Sequence, residues 1–425
     1  MSKFTNKITV FLSILLFAFV FQAPPARSQA HVELPVCLEG TLNKADYKIR
    51  VPENWNGTLL VYARGYTGEL PAEPDAAPGG AMGEETLLSR GYALAGSSFR
   101  GAGWAVKEGI QNTLALTNFF RGQVGNPDRI ILWGFSMGSV IAFKSIEKYP
   151  NIYDGAIAGC AVGAGAPMNW DGALAFSLAY DVAFGWLPSW GSVGDVRDDL
   201  DFETHVYPAL SLQVANPANL GLFEFIRLVC DLPKEQFYPN PLNPLEPNWL
   251  FTDMIYATEY RAELERRAKG PVAQNLDHVY TLSPEDIAIL TALGVDFNTL
   301  LAEMNARRNI EARLPSRKYM ERYSDYSGKL KRPVITIHNK ADGLVHVANE
   351  SVYWDTVFSA GKDEMLIQVY IDSVGHCTFE PLQILAVLNA MEYWLDSGTK
   401  PGPGYFPVGL GFVLPGFIQP PWPFK

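Results

Sequence analysis

Residues 134–138 read Gly134-Phe135-Ser136-Met137-Gly138. They stand directly after the short apolar run Arg129–Trp133 and directly before a helical pattern that ends ahead of Pro150. A serine at the centre of Gly-x-Ser-x-Gly, between a strand and a helix, demands a tight turn. The two flanking glycines keep such a turn free of Cβ clashes, and the turn lifts the hydroxyl out of the chain where a base can reach it. The chain must therefore supply a strand before the serine, a helix after it, and partners from elsewhere.

Two partners follow in order. Pro333–His338 has a strand pattern, and four residues on comes Asp342, within Asn339-Lys-Ala-Asp-Gly-Leu-Val345. A helical stretch over 347–359 and a strand over 365–371 lead to His376, in Ser373-Val-Gly-His-Cys377. Each of Ser136, Asp342 and His376 thus falls just past an expected strand. Asp372 is a rival acid, but it ends the strand that leads into the His376 loop. Reaching back to the imidazole from there would need a sharp reversal.

In this order of serine, acid and histidine the chain resembles the α/β-hydrolase superfamily over most of its length, one long insertion and the tail excepted. The resemblance implies an α/β fold: a mostly parallel central sheet with helices on both faces and a largely helical cap. It also implies that Ser136 attacks an acyl carbonyl, His376 takes and returns its proton, and Asp342 fixes the imidazole tautomer. The oxyanion would be held by two backbone N–H groups. One is Met137, after the serine; the other is Tyr66, with Gly65 the close alternative, in Ala63-Arg64-Gly65-Tyr66 after the strand 58–62. Arg64 stands where the superfamily often has histidine.

Strands alternate with helices over 31–164 and again over 333–398, which predicts the parallel sheet. The reading places one strand over 41–51, a second over 58–62, a helix near 82–90, a strand over 92–96 and a helix over 112–122. The alternation stops over 165–332, the expected cap. This insertion begins rich in Trp, Tyr, Phe and Pro and turns helical later, over 251–267 and again from Ser283, an N-cap followed by Pro284. Arg100 and Trp104, in a Gly-rich loop after the 92–96 strand, and Gly65 are the candidate substrate contacts. The tail, 399–425, carries too many prolines for a helix and is expected to lie extended across the body.

The first 30 residues read as a secretory signal peptide: a basic start, an uncharged apolar stretch from Ile8 to Phe21, and small residues at Ser28 and Ala30. Its removal takes away Lys3, Lys7 and Arg27 and no acid, so the formal charge moves from −11 to −14. An acidic chain suits neither nucleic acid nor anionic membranes, and no later segment is apolar enough for membrane insertion. The location expected is secreted or periplasmic. Cys37, Cys160, Cys230 and Cys377 allow one or two disulfides in three pairings, or buried free thiols. No phosphate-loop, dinucleotide or zinc spacing occurs, so neither cofactor nor metal is expected.

The function expected is hydrolysis of a carboxylic ester on a small-molecule or short acyl substrate. The alternatives are a peptidase or amidase using the same three residues, and a binding protein on a retired hydrolase fold. An aminopeptidase would want a cap carboxylate facing the substrate ammonium, and Glu203, Glu224 and Asp231 are available.

Overall fold

The computed structural model describes residues 33–240, 242–243, 248–413 and 417–424. The leader read over 1–30 lies outside them. Eight strands form most of the main sheet: β1 Val36–Leu42, β2 Ala45–Val51, β3 Thr58–Ala63, β4 Ala93–Ser97, β5 Arg129–Phe135, β6 Gly155–Gly159, and, after a two-stranded hairpin of β7 Gly191–Ser192 and β8 Asp195–Val196, β9 Val334–Ala341 and β10 Leu366–Val374. With β11 Phe412–Val413 the order is β1-β2-β4-β3-β5-β6-β9-β10-β11. All pairs from β4 to β10 are parallel; β1, β2 and β11 add antiparallel edges.

The central strands are buried on both faces, so β3 and β5 read as near-continuous apolar runs. Helices α1 Gly80–Leu88, α2 Val106–Gln123 and α3 Met137–Lys148 connect the first half, while α12 Ala348–Ser359 and α13 Pro381–Ser397 connect and follow the last parallel strands. Apolar side chains of α2, α3 and α12 pack one face of the sheet; those of α1 and α13 pack the other.

Between β6 and β9 lie α4 Gly165–Phe184, α5 Tyr207–Val214, α6 Leu220–Val229, α7 Trp249–Ile255, α8 Arg261–Ala268, α9 Pro284–Ala292, α10 Phe297–Ala306 and α11 Leu314–Ser324. A third apolar cluster joins these helices to the end of the sheet that carries Met137 and Val162. A bidentate pair, Arg317 on Asp171 at 2.7 and 2.8 Å, ties α11 to α4. At the start of α9, Ser283 and Asp286 form a reciprocal capping box.

The structure departs from the sequence reading in two places and adds to it in a third. The expected 41–51 strand is the second half of a hairpin. Asn43 and Lys44 both take positive φ, 52° and 65°, the geometry that turns one twisted strand onto the next. The insertion begins with a helix, α4, most of whose residues are buried. Burial all round leaves no apolar stripe of period 3.6 to read.

The tail lies against the body, as expected, and goes further. Despite its prolines it adds β11 to the sheet edge beside Tyr370 and Ile371, and its last aromatic residues, Trp422 and Phe424, are buried. Phe424 stacks on His278 at 5.4 Å. Burial, with repulsion from Arg317, lowers the His278 pKa to about 4. The unfolded chain therefore takes up this proton near the ordinary value of about 6.5 while the folded chain refuses it. Stability contributed here is present above about pH 6.5 and is lost as pH falls toward 4. Chemical denaturation midpoints should fall over that window and fall less in His278→Phe.

Candidate active site

At the end of β5 the chain turns sharply into α3, and Ser136 occupies the turn at φ 54°, ψ −125°. This is a strained conformation for a residue with a side chain. It is held by the Ser136 N–H donating to Gly159 O at 2.9 Å and by Ser139, whose N–H and hydroxyl donate to Ser136 O at 2.8 and 2.6 Å. The glycines are required by close approach: a Cβ on Gly134 would lie 2.1 Å from Gly138 O, and one on Gly138 would lie 2.0 Å from Ala63 O.

β9 ends at Ala341, and the next residue, Asp342, is buried. Its Oδ1 accepts the N–H groups of Leu344 and Val345 at 3.0 and 2.9 Å, leaving Oδ2 to accept from His376 Nδ1 at 2.8 Å. His376 Nε2 stands 2.8 Å from Ser136 Oγ. Hydroxyl, imidazole and carboxylate thus form one hydrogen-bonded chain. Asp372 is exposed and engaged with Lys340 at 2.9 Å.

Three restraints hold the His376 loop. Gly375 N–H donates to Ala341 O at 3.0 Å, Asn339 Nδ2 donates to Ser373 Oγ at 2.6 Å, and Cys377 is disulfide-bonded to Cys160 at the end of β6. The bridge closes a separation of 217 residues, so the chain-entropy model assigns it about 5 kcal/mol against the unfolded state. Cys37 and Cys230 are free. Cys160, Cys377 and His376 cluster closely enough to resemble a metal-ligand set, but both sulfurs are committed to the bridge.

Behind Asp342 lies a second polar group that the sequence reading did not single out. His338 is fully buried, with Nδ1 3.1 Å from Glu350 Oε1 and Nε2 2.8 Å from Val345 O. Both ring nitrogens face acceptors, an arrangement that favours the imidazolium. Burial opposes that charge, but the Glu350 hydrogen bond and carboxylate, with Asp342, raise the His338 pKa above its ordinary value. His338 Nε2 is 3.7 Å from Asp342 Oδ2, so the buried imidazole lies directly behind the Asp342 carboxylate. The signal was present in β9: Thr336 and His338, two apart, put polar groups on one face of its apolar first half, and Glu350 meets both.

Ser136 and His376 open into a cavity of about 540 Å³. Gly65, Tyr66 and Trp104 line it; Arg100 does not. Arg100 is exposed and bound through Gln111 and Asn112, so the structure removes it from the candidate contacts. Glu203, Glu224 and Asp231 do not line the cavity either, and Glu224 is spent on Arg227 and Tyr238. Tyr256 and Tyr260 reach the wall from a π-helical turn, Tyr256–Tyr260, between α7 and α8.

Arg64 is buried beside the Gly65 turn. Its guanidinium donates to Ser98 O at 3.0 and 2.7 Å and to Gly65 O at 3.0 Å, and lies over the Phe99 ring. Burial lowers its pKa to about 10. A Cβ on Gly65 would approach Phe135 O to 3.4 Å, which places this turn against the Ser136 turn.

The strand order, the parallel crossovers and the serine turn at the end of β5 are those of the α/β-hydrolase fold. No protein-family model matches the chain. A protein described as o-phthalyl amidase from Xanthobacter agilis is 23% identical over 401 residues, spanning 84% of this chain and 86% of that one. Among solved structures, an esterase from Aspergillus oryzae matches 86% of this chain and 80% of its own, at 15% identity and TM-score 0.40. The proline iminopeptidase of Mycobacterium smegmatis matches 85% of this chain and 99% of its own, at 13% identity and TM-score 0.41.

Proposed function

We propose that this chain is a serine hydrolase that cleaves a carboxylic ester through an acyl-enzyme. The observation that carries the reading is the relay from Ser136 Oγ through His376 to Asp342, with both hydrogen bonds at 2.8 Å. As Ser136 Oγ bonds to the carbonyl carbon, its proton passes to His376 Nε2, and the imidazolium is stabilised by Asp342. The carbonyl oxygen, now an oxyanion, is received by the N–H groups of Met137 and Tyr66. Arg64 supports the second donor: it holds the Gly65 carbonyl, and in a planar trans peptide the Tyr66 N–H then points the opposite way. His376 returns the proton to the leaving alcohol, and water repeats the sequence to release the acid.

In this reading residues 165–332 act as a cap that excludes water, and the Gly65, Tyr66 and Trp104 wall contacts the substrate. Secretion or a periplasmic location is compatible with the disulfide and with the lack, among the described residues, of any helix long and apolar enough to cross a membrane.

Amide cleavage by the same residues is the second reading, favoured by the similarity to the protein described as an amidase. An aminopeptidase role finds less support, because no carboxylate among the described residues lines the cavity to pair with a substrate ammonium. The test is covalent labelling by a neutral fluorophosphonate, followed by turnover of matched short aryl esters and arylamides. Labelling should map to Ser136 and vanish in His376→Ala, with esters cleaved faster. Labelling elsewhere would end the serine-hydrolase reading, and faster arylamide cleavage would reverse the ester assignment.

A further inference from the structure

We infer that the cavity selects uncharged substrates and seats an aromatic ring at its closed end. The inference rests on the hydrolase reading and names the substrate class of that same site. Its first support is a wall composed without fixed charge. Among the described residues lining the cavity there is no Asp, Glu, Lys or Arg, and His376 belongs to the relay.

The charges that come near are turned to other work. Glu263 accepts the Trp104 N–H at 2.8 Å and pairs with Arg267, while Arg64 is spent on backbone carbonyls. Asp253, which precedes the π-helical turn, is buried, and burial and the charge of Asp342 push its carboxyl well above the usual carboxylate range.

The second support is the difference between the two ends. At one end the cavity opens between the starts of α1 and α13, where Met82 is 80% exposed. At the other, Trp104 and Trp170 are buried at 6% and 0% exposure. Trp170 stacks on Tyr256 with centroids 4.2 Å apart and meets Trp104 edge-on at 5.5 Å. Such rings present flat faces and edges that pair with another ring.

Asn169 is the amide at this end, and both of its N–H donors are used. Its Nδ2 donates to Gly165 O and Asn349 Oδ1, both at 2.8 Å, and its Oδ1 accepts from Asn349 Nδ2 at 3.1 Å. A ligand carboxylate pushed to the closed end would lose its water and gain no cation; the Trp170 indole N–H has no acceptor in the structure, but one neutral donor does not replace the hydration of an anion. An uncharged ring loses little and gains contact area.

The experiment compares kcat/KM for two neutral aromatic esters, a benzoate of methanol and an acetate of phenol, each against its ring-carboxylate analogue. Active sites are counted first by neutral fluorophosphonate labelling of Ser136. The better neutral ester should exceed its carboxylate partner by at least about 100-fold, the scale expected when a buried charge goes unpaired. It should also exceed the corresponding saturated-ring ester.

Tyr260→Arg, which puts a cation on the partly exposed part of the wall, should narrow the charge ratio by about tenfold or more. Rates for both carboxylates within about tenfold of their neutral partners would overturn the inference while the labelled serine upheld the hydrolase reading. A ratio unmoved by Tyr260→Arg in protein that still labels would overturn it equally. Failure of Ser136 to label would instead strike the hydrolase reading itself.

Discussion

Replacing Ser136 with alanine should reduce ester turnover by about 10⁵-fold or more, the scale seen when the nucleophile of such a relay is deleted. In the proposed mechanism Oγ is the atom that bonds to the substrate carbon, and its side-chain partner in the structure is His376 Nε2. The backbone bonds that hold the turn, to Gly159 and from Ser139, do not involve the side chain lost. The denaturation midpoint should therefore stay near that of the parent while the rate collapses. A Ser136→Ala protein that kept ester turnover within about tenfold of the parent would sink the mechanism.

Asp342→Asn should lower kcat by about 10⁴-fold, for a reason written in the bonding of one carboxylate. Oδ1 accepts two backbone N–H groups, so the asparagine carbonyl must stay on that side. The amide NH₂ then faces His376 Nδ1, where the parent has an acceptor at 2.8 Å. To avoid two donors meeting, the imidazole must carry its hydrogen on Nε2. That nitrogen then has no lone pair for the Ser136 proton.

Fluorophosphonate labelling of Ser136 should slow in the same proportion as kcat, since both reactions need the same proton transfer. Asp372→Asn, at an exposed residue paired with Lys340, should leave kcat within about twofold. The reverse pattern, with Asp372 essential and Asp342 dispensable, would reassign the acid.

Much of the site is readable along the chain because its parts obey local rules. Gly134 and Gly138 announce the serine turn through backbone crowding that any Cβ would worsen. Asp342 and His376 sit just beyond strands whose apolar runs are plain in 333–338 and 365–371. In contrast, nothing local distinguishes Arg100 from Arg64. One ends exposed beside Gln111; the other is buried and braces the Gly65 turn from the Ser98 carbonyl, 34 residues away. His338 and Glu350 look like strand and helix filler until β9 and α12 pack and leave each as the other's partner.

Sequence alone thus determined the alternating architecture and placed Ser136, Asp342 and His376 each just past a strand, because strand, turn and helix preferences are set by residues a few positions apart. Only the tertiary structure decided which cysteines pair, that the proline-rich tail becomes a sheet edge, and that the cavity wall carries no charge. Those outcomes depend on groups such as Ser136 and His376, 240 residues apart, meeting in a packed interior. There, burial and the neighbours it imposes choose among contacts that the linear pattern leaves equally open.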